Sequence, residues 1–121
     1  MDDSQFHKIF SDLKELLVPY KQYMECTEDN TNSFYLNTRH IMSNGKPLFF
    51  AAVAIKKKYV SFQLMPVYVE PALLECISEQ LKKRMQGKSC FNFKREDEAL
   101  FSELKALLES GFEFYQQQKY I

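Results

Sequence analysis

The sequence predicts an α+β domain in which an antiparallel β-sheet packs against helices, in the order α-β-β-β-α-β-α. Segments near both ends of the chain carry apolar residues at spacings of three and four, which is typical of amphipathic helices. Between them, short runs of β-forming residues are separated by turn residues, including the pair Asn44-Gly45, which is typical of a β-hairpin. The length of 121 residues suits one domain, so we expect residues 1–121 to form a single unit.

The first helix is predicted from an apolar stripe that runs to the proline at position 19. Asp2, Asp3 and Ser4 offer capping and first-turn acidic groups, and Pro19 is expected to end or kink the helix. The segment after Pro19 is ambiguous and fits a further helical turn, a short strand, or both. The stripe consists of Phe6, Ile9, Phe10, Leu13, Leu16, Leu17 and Tyr20.

Three strands are predicted in the middle of the chain. The run FYLNTRHIM precedes Asn44-Gly45, and the run Leu48–Ile55 follows it; the second is apolar on both faces, which indicates a central strand. Lys56–Lys58 are expected at the tip of a second hairpin. In the next run, Val60, Phe62 and Leu64 alternate with Tyr59, Ser61 and Gln63, which predicts a strand with one face towards the core.

A second helix is predicted from Pro71 to a stop at Gly87, where a left-handed backbone is expected. Its apolar stripe would consist of Leu73, Leu74, Ile77, Leu81 and Met85. The alternating run SCFNF then predicts a strand, with Phe91 and Phe93 on one face. A third helix is expected to start at the acidic residues 96–98 and to stop at Gly111.

The overall composition argues against several classes of function. The 16 basic and 16 acidic residues balance, whereas general nucleic-acid binding needs a basic surplus or a strongly basic face. The acidic start MDDSQ is unlike a secretory signal, and the longest apolar run of eight residues is too short to cross a membrane as a helix. Three widely spaced cysteines are typical of free thiols in a reducing cytoplasm.

The stretch Gly87-Lys88-Ser89-Cys90 invites two chemical interpretations. A phosphate-binding loop would need a glycine where Lys82 stands. It would also follow a strand and precede a helix, whereas here a predicted helix comes before and a predicted strand after. A nucleophilic Cys90 would need a neighbouring base, and neither histidine has a spacing that pairs it with this thiol. Because no C-x-x-C pair or zinc-type spacing occurs either, we expect no metal site, no cofactor and no catalytic residue.

Much of the chain, about residues 35 to 115, resembles the YdhG-like family of small bacterial domains of unknown function. The resemblance implies an antiparallel sheet packed against helices. Some relatives are described as frataxin-like and linked to intracellular iron, which implies an iron carrier as an alternative function. Gln63 stands where many relatives carry a histidine, and this departure weakens a metal role at the sheet. The motifs that carry the resemblance are Tyr59-Val60-Ser61-Phe62, Met65-Pro66-Val67-Tyr68 and Gly87-Lys88-Ser89-Cys90-Phe91-Asn92-Phe93.

The candidate site lies on the sheet face opposite the core. Strand alternation should place polar groups of two strands there, and such a mixture of hydroxyl, thiol, amide and ammonium groups can hold a small polar ligand. The predicted ligand-binding residues are Tyr59, Ser61, Lys88, Cys90 and Asn92. We therefore expect a cytoplasmic, non-enzymatic module, monomer or homodimer, that binds a small ligand or a protein partner. The alternatives are a frataxin-like iron carrier and a thiol-dependent enzyme that uses Cys90.

Overall fold

The computed structural model describes residues 3–121, except for the side chains of Asp3 and Ser4, so the capping predicted for Asp2, Asp3 and Ser4 lies outside the described residues. Four α-helices, two 3-10 helices and five strands follow one another in this part of the chain. The α-helices are α1 (Asp3–Leu17), α2 (Pro66–Val69), α3 (Glu79–Lys82) and α4 (Glu98–Gln117), and the 3-10 helices are Val18–Tyr23 and Pro71–Cys76. The strands are β1 (Glu25–Asp29), β2 (Ser33–Ile41), β3 (Pro47–Ile55), β4 (Val60–Leu64) and β5 (Cys90–Phe93).

The five strands form one sheet in the order β1-β2-β3-β4-β5, and every neighbouring pair is antiparallel. The predicted α+β class is therefore confirmed. The ambiguous segment after Pro19 forms both of the structures that its sequence allowed, a 3-10 helix and then β1. The sheet consequently has one more strand than the predicted order contained.

The two predicted hairpins are present. In the first, the backbone N–H of Met42 donates to the carbonyl of Lys46 at 2.8 Å, and Gly45 has a φ of +83°. Asparagine and glycine both tolerate positive φ, and of the pair Asn44-Gly45 only the glycine adopts it. In the second, the N–H of Lys56 donates to the carbonyl of Tyr59 at 2.8 Å.

A change of register between β2 and β3 explains why adjacent residues of β3 are both buried. Leu36 pairs with Ala51, but the next residue, Asn37, pairs with Phe49, so Phe50 is an extra residue that forms a β-bulge. A bulge reverses the alternation of side chains along the strand. Phe50 and Ala51 are therefore both fully buried on the helix side, and the strand lies third among five.

The helices pack on one face of the sheet and form a single core with it. Tyr115 of α4 is fully buried, and its hydroxyl donates to the carbonyl of Phe49 at 2.9 Å. Burial raises the pKa of this hydroxyl, which holds it in the protonated form that donates. None of the described helices is both long enough and apolar enough to cross a bilayer.

The prediction of one helix from Pro71 to Gly87 was wrong. The chain forms a 3-10 helix at 71–76, becomes extended at Ile77, and restarts as α3. Tertiary hydrogen bonds explain the restart, because the backbone N–H and the hydroxyl of Ser78 donate to the carboxylate of Glu103 in α4 at 2.8 and 2.7 Å. The same hydroxyl accepts from the N–H of Leu81 at 3.2 Å and caps the new helix.

Both predicted glycine stops need correction. Gly87 has the expected left-handed backbone, with a φ of +83°, but α3 has already ended at Lys82. Gly87 instead lies in a loop that the N–H of Gln86 closes on the carbonyl of Cys90 at 2.9 Å. Gly111 does not stop the last helix, since α4 continues to Gln117. Because Gly111 has no side chain, it leaves room for Pro66.

Candidate functional site

The two faces of strands β4 and β5 are arranged as the sequence predicts. Phe62 pairs with Phe91, and both rings are fully buried on the helix side. Ser61 pairs with Asn92, so these two residues share the opposite face. The predicted register is therefore confirmed, and a polar row follows the open face of the sheet.

Three of the predicted site residues form a hydrogen-bonded cluster on this open face. The Oγ of Ser61 lies 3.1 Å from the Sγ of Cys90, and this thiol also contacts the Oδ1 of Asn92 at 3.4 Å. Ser61 is only 5% exposed, whereas Cys90 and Asn92 are half-buried. These two contacts link the three side chains into one row.

The other two predicted site residues lie apart from this cluster. Lys88 is in the loop before β5, where its Nζ lies 6.0 Å from the centre of the Tyr68 ring. Tyr59 directly precedes β4, and it lines a depression together with Asn92. The structure thus brings together Ser61, Cys90 and Asn92, and leaves Lys88 outside the group.

A depression of about 390 Å³ opens on the same sheet face, one strand further towards the centre. Its floor consists of Ala52, Ala54 and Ser61, where β3 and β4 present small side chains side by side. Ala52 is only 6% exposed. Gln63 is exposed at the rim and supplies an amide group.

The far wall of the depression is aromatic and acidic. Tyr35 of β2 stacks on Phe49, with ring centres 4.6 Å apart and an angle of 28° between the planes. Burial, and then the charge of Glu28, raise the pKa of the Tyr35 hydroxyl, so this group stays a neutral donor. The carboxylate of Glu28 accepts from the hydroxyl of Ser33 at 2.6 Å and is thereby held at the rim.

Sequence analysis missed Tyr35, Ala52, Ala54 and Glu28 as site residues. The available signal was the pair of alanines in an otherwise bulky central strand, because small residues on a sheet surface leave space above them. The sequence alone did not show which alanines share a face of the sheet with Tyr35, because the bulge at Phe50 sets the register between β2 and β3.

The side chains of the site carry hydroxyl, thiol, amide, phenol and carboxylate groups. Among residues 3–121 as described, no three His, Cys, Asp or Glu side chains converge on a position for a metal ion. The side-chain partners of Cys90 are a hydroxyl and an amide, and neither serves as a base. His40 packs on the ring of Tyr120, with ring centres 4.8 Å apart.

Comparisons of the chain with family models, with curated proteins and with solved structures found no match.

Proposed function

We propose that the protein is a cytoplasmic, non-enzymatic module that binds a small molecule in the depression on the open sheet face. The observation that carries this proposal is the depression itself, whose floor of Ala52, Ala54 and Ser61 lies between an aromatic wall and a polar rim. Its volume of about 390 Å³ falls in the range of small-molecule sites. A flat face would have favoured a protein partner instead.

The groups around the depression suggest the chemistry of the ligand. The alanine floor and the Tyr35 ring favour an apolar or aromatic portion. The phenol of Tyr35, the amide of Gln63 and the hydroxyl of Ser61 supply donors and acceptors for a polar portion. The carboxylate of Glu28 and the ammonium group of Lys56 both line the depression, so its charged groups balance. A ligand with no net charge and one flat apolar part fits best.

The YdhG-like relationship is part of this proposal, because the motifs that carry it include Ser61, Cys90 and Asn92. Three free cysteines support a reducing compartment, since none is paired in a disulfide. The iron carrier and the Cys90-dependent enzyme stay alternatives that the sequence resemblance and the thiol suggest.

The test is a screen of small polar and aromatic compounds by two-dimensional amide NMR of the ¹⁵N-labelled protein. Ligands of the site should shift the amide signals of Ala52, Ala54, Ser61 and Gln63 together. The variant Ala54→Phe should abolish these shifts, because a ring on the floor fills the space above it.

A matched control is Ile41→Phe, which adds a ring to an exposed position of the same sheet outside the depression. It should leave the shifts unchanged. The proposal fails if compounds bind equally well to Ala54→Phe and to the unaltered protein. It also fails if every bound compound shifts amides elsewhere in the chain.

A further inference from the structure

The fold gathers basic side chains that are scattered in the sequence into one patch, here called the basic surface. Its members are Lys58, Lys83, Arg84, Lys94 and Arg95, and all five are exposed. Lys58 comes from the hairpin tip between β3 and β4, the next two follow α3, and the last two follow β5. Lys83 and Arg84 line one depression with Lys58 of this hairpin and another with Arg95 after β5.

The charges of the basic surface are not neutralised within the described part of the chain. None of its five side chains forms an ion pair within 4 Å with a described acidic residue, whereas Lys8, Lys14, Lys21 and Arg39 elsewhere do. The acidic residues 96–98 directly follow Arg95 in the sequence. Glu96 pairs with Lys8 at 3.2 Å, and Asp97 accepts from the N–H of Leu100 at 3.1 Å as the cap of α4.

Two adjoining depressions make the basic surface concave. One has a volume of about 440 Å³ and is lined by Lys58, Tyr59 and Asn92. The other has a volume of about 250 Å³ and is lined by Arg95 and by the acidic residue Asp97. Lys83, Arg84 and Lys94 line both depressions. Among the described residues, five cations and one acidic residue line the two depressions. The larger depression, which Asp97 does not line, has room for a nucleotide-sized molecule.

We propose that the basic surface binds a small oligophosphate, meaning a ligand that carries at least two linked phosphate groups. A guanidinium can donate two parallel hydrogen bonds to a pair of phosphate oxygens, and lysine ammonium groups add positive charge around the phosphate. Five like charges in one patch repel one another, and a multiply charged anion relieves this repulsion where one phosphate would neutralise only part of it. Tyr59 and Asn92 can contact an organic group attached to the phosphates.

A small oligophosphate fits better than a nucleic-acid strand. Proteins that bind single strands line a long groove with several aromatic rings on which successive bases stack. Among the described residues, the larger depression offers one ring, that of Tyr59, and the smaller adds Phe93, which is only 1% exposed. These depressions are distinct from the one above the alanines, because no residue lines both that depression and either of these, although Ser61 of that depression pairs with Asn92 of the larger one.

The experiment is a calorimetric titration of the full chain with inorganic triphosphate, at salt concentrations of about 50 mM and about 200 mM. The unaltered protein should bind with a Kd below about 1 mM at the lower salt concentration, and binding should weaken at the higher one. The double variant Lys83→Ala, Arg84→Ala should weaken binding at least about tenfold, because hydrogen bonds to charged groups are among the strong ones. Lys94→Gln tests the same surface independently should the double variant fold poorly.

The matched control is the double variant Lys46→Ala, Lys105→Ala, which removes two exposed positive charges outside both depressions. Its affinity should stay within about twofold of the unaltered value, because neither lysine lines a depression and salt screens exposed charges that do not touch the ligand. Equal weakening in both double variants overturns the proposal, as does the absence of binding below about 1 mM. Tighter binding of a single-stranded oligonucleotide or of phosphatidylserine vesicles than of triphosphate also overturns it, in favour of a macromolecular polyanion.

Discussion

Replacing Gly111 by alanine should destabilise the protein, although the same change in an open helix stabilises it. Gly111 lies inside α4, where a Cβ atom would stand 2.8 Å from the Cβ of Pro66 and 3.0 Å from its Cγ. Contacts under 3.0 Å require a shift of one partner. The proline ring is rigid and begins α2, so it cannot move aside as the end of a flexible side chain could.

The expected magnitude follows from two opposing terms. Alanine gains about 1 kcal/mol over glycine in a helix interior. Overpacking a tight contact costs about 1–3 kcal/mol. We therefore expect a net loss of about 1 kcal/mol in the free energy of unfolding, with the overpacking term at about the middle of its range. For 121 residues this corresponds to a decrease in Tm of about 4 °C.

Urea denaturation followed by circular dichroism measures this change. Position 102 supplies the control, because Ser102 is exposed on the same helix. The difference between Ser102→Ala and Ser102→Gly gives the preference of α4 for alanine over glycine without the proline contact. If Gly111→Ala stabilises the protein as much as that difference, α4 does not pack against Pro66 at this point, and the reasoning is refuted.

Two further predictions concern the backbone and one ion pair. Gly87→Ala should lower the free energy of unfolding by about 1–2 kcal/mol, because the φ of +83° at this position strains an L-residue. The strain is in the backbone, since nothing lies within 4 Å of the added Cβ. An unchanged urea denaturation curve would contradict this. Hydrogen bonds from Lys14 and then from Lys21 lower the pKa of Asp29 below its ordinary value. The stabilisation by Asp29 should therefore be present above its unfolded pKa of about 3.9 and be lost as the pH falls through the lower folded value. Asp29→Asn should remove this pH-dependent part in denaturation curves measured at low salt, and identical pH profiles for the two proteins would contradict it.

Local signals predicted much of the sheet and its two faces. Alternation in β4 and β5 correctly assigned Phe62 and Phe91 to the core and Ser61 and Asn92 to the open face, because the side-chain period of a strand is fixed by its backbone. Gly45 likewise marked a hairpin through its own conformational freedom. The depression above the alanines was not predicted, since the bulge in β3 depends on pairing with β2.

The sequence by itself determined the α+β class, the antiparallel pairing of the central strands and the left-handed backbone at Gly87. These features arise from residues that are neighbours in the chain, so periodicity and turn chemistry are enough to specify them. Tertiary structure alone decided where the second helical segment breaks, since Ser78 is held by Glu103, a residue 25 positions away. It also decided that basic residues of a chain with no net charge meet on one surface. Such contacts depend on how elements pack against each other, and no local pattern records which side chains the folded chain brings together.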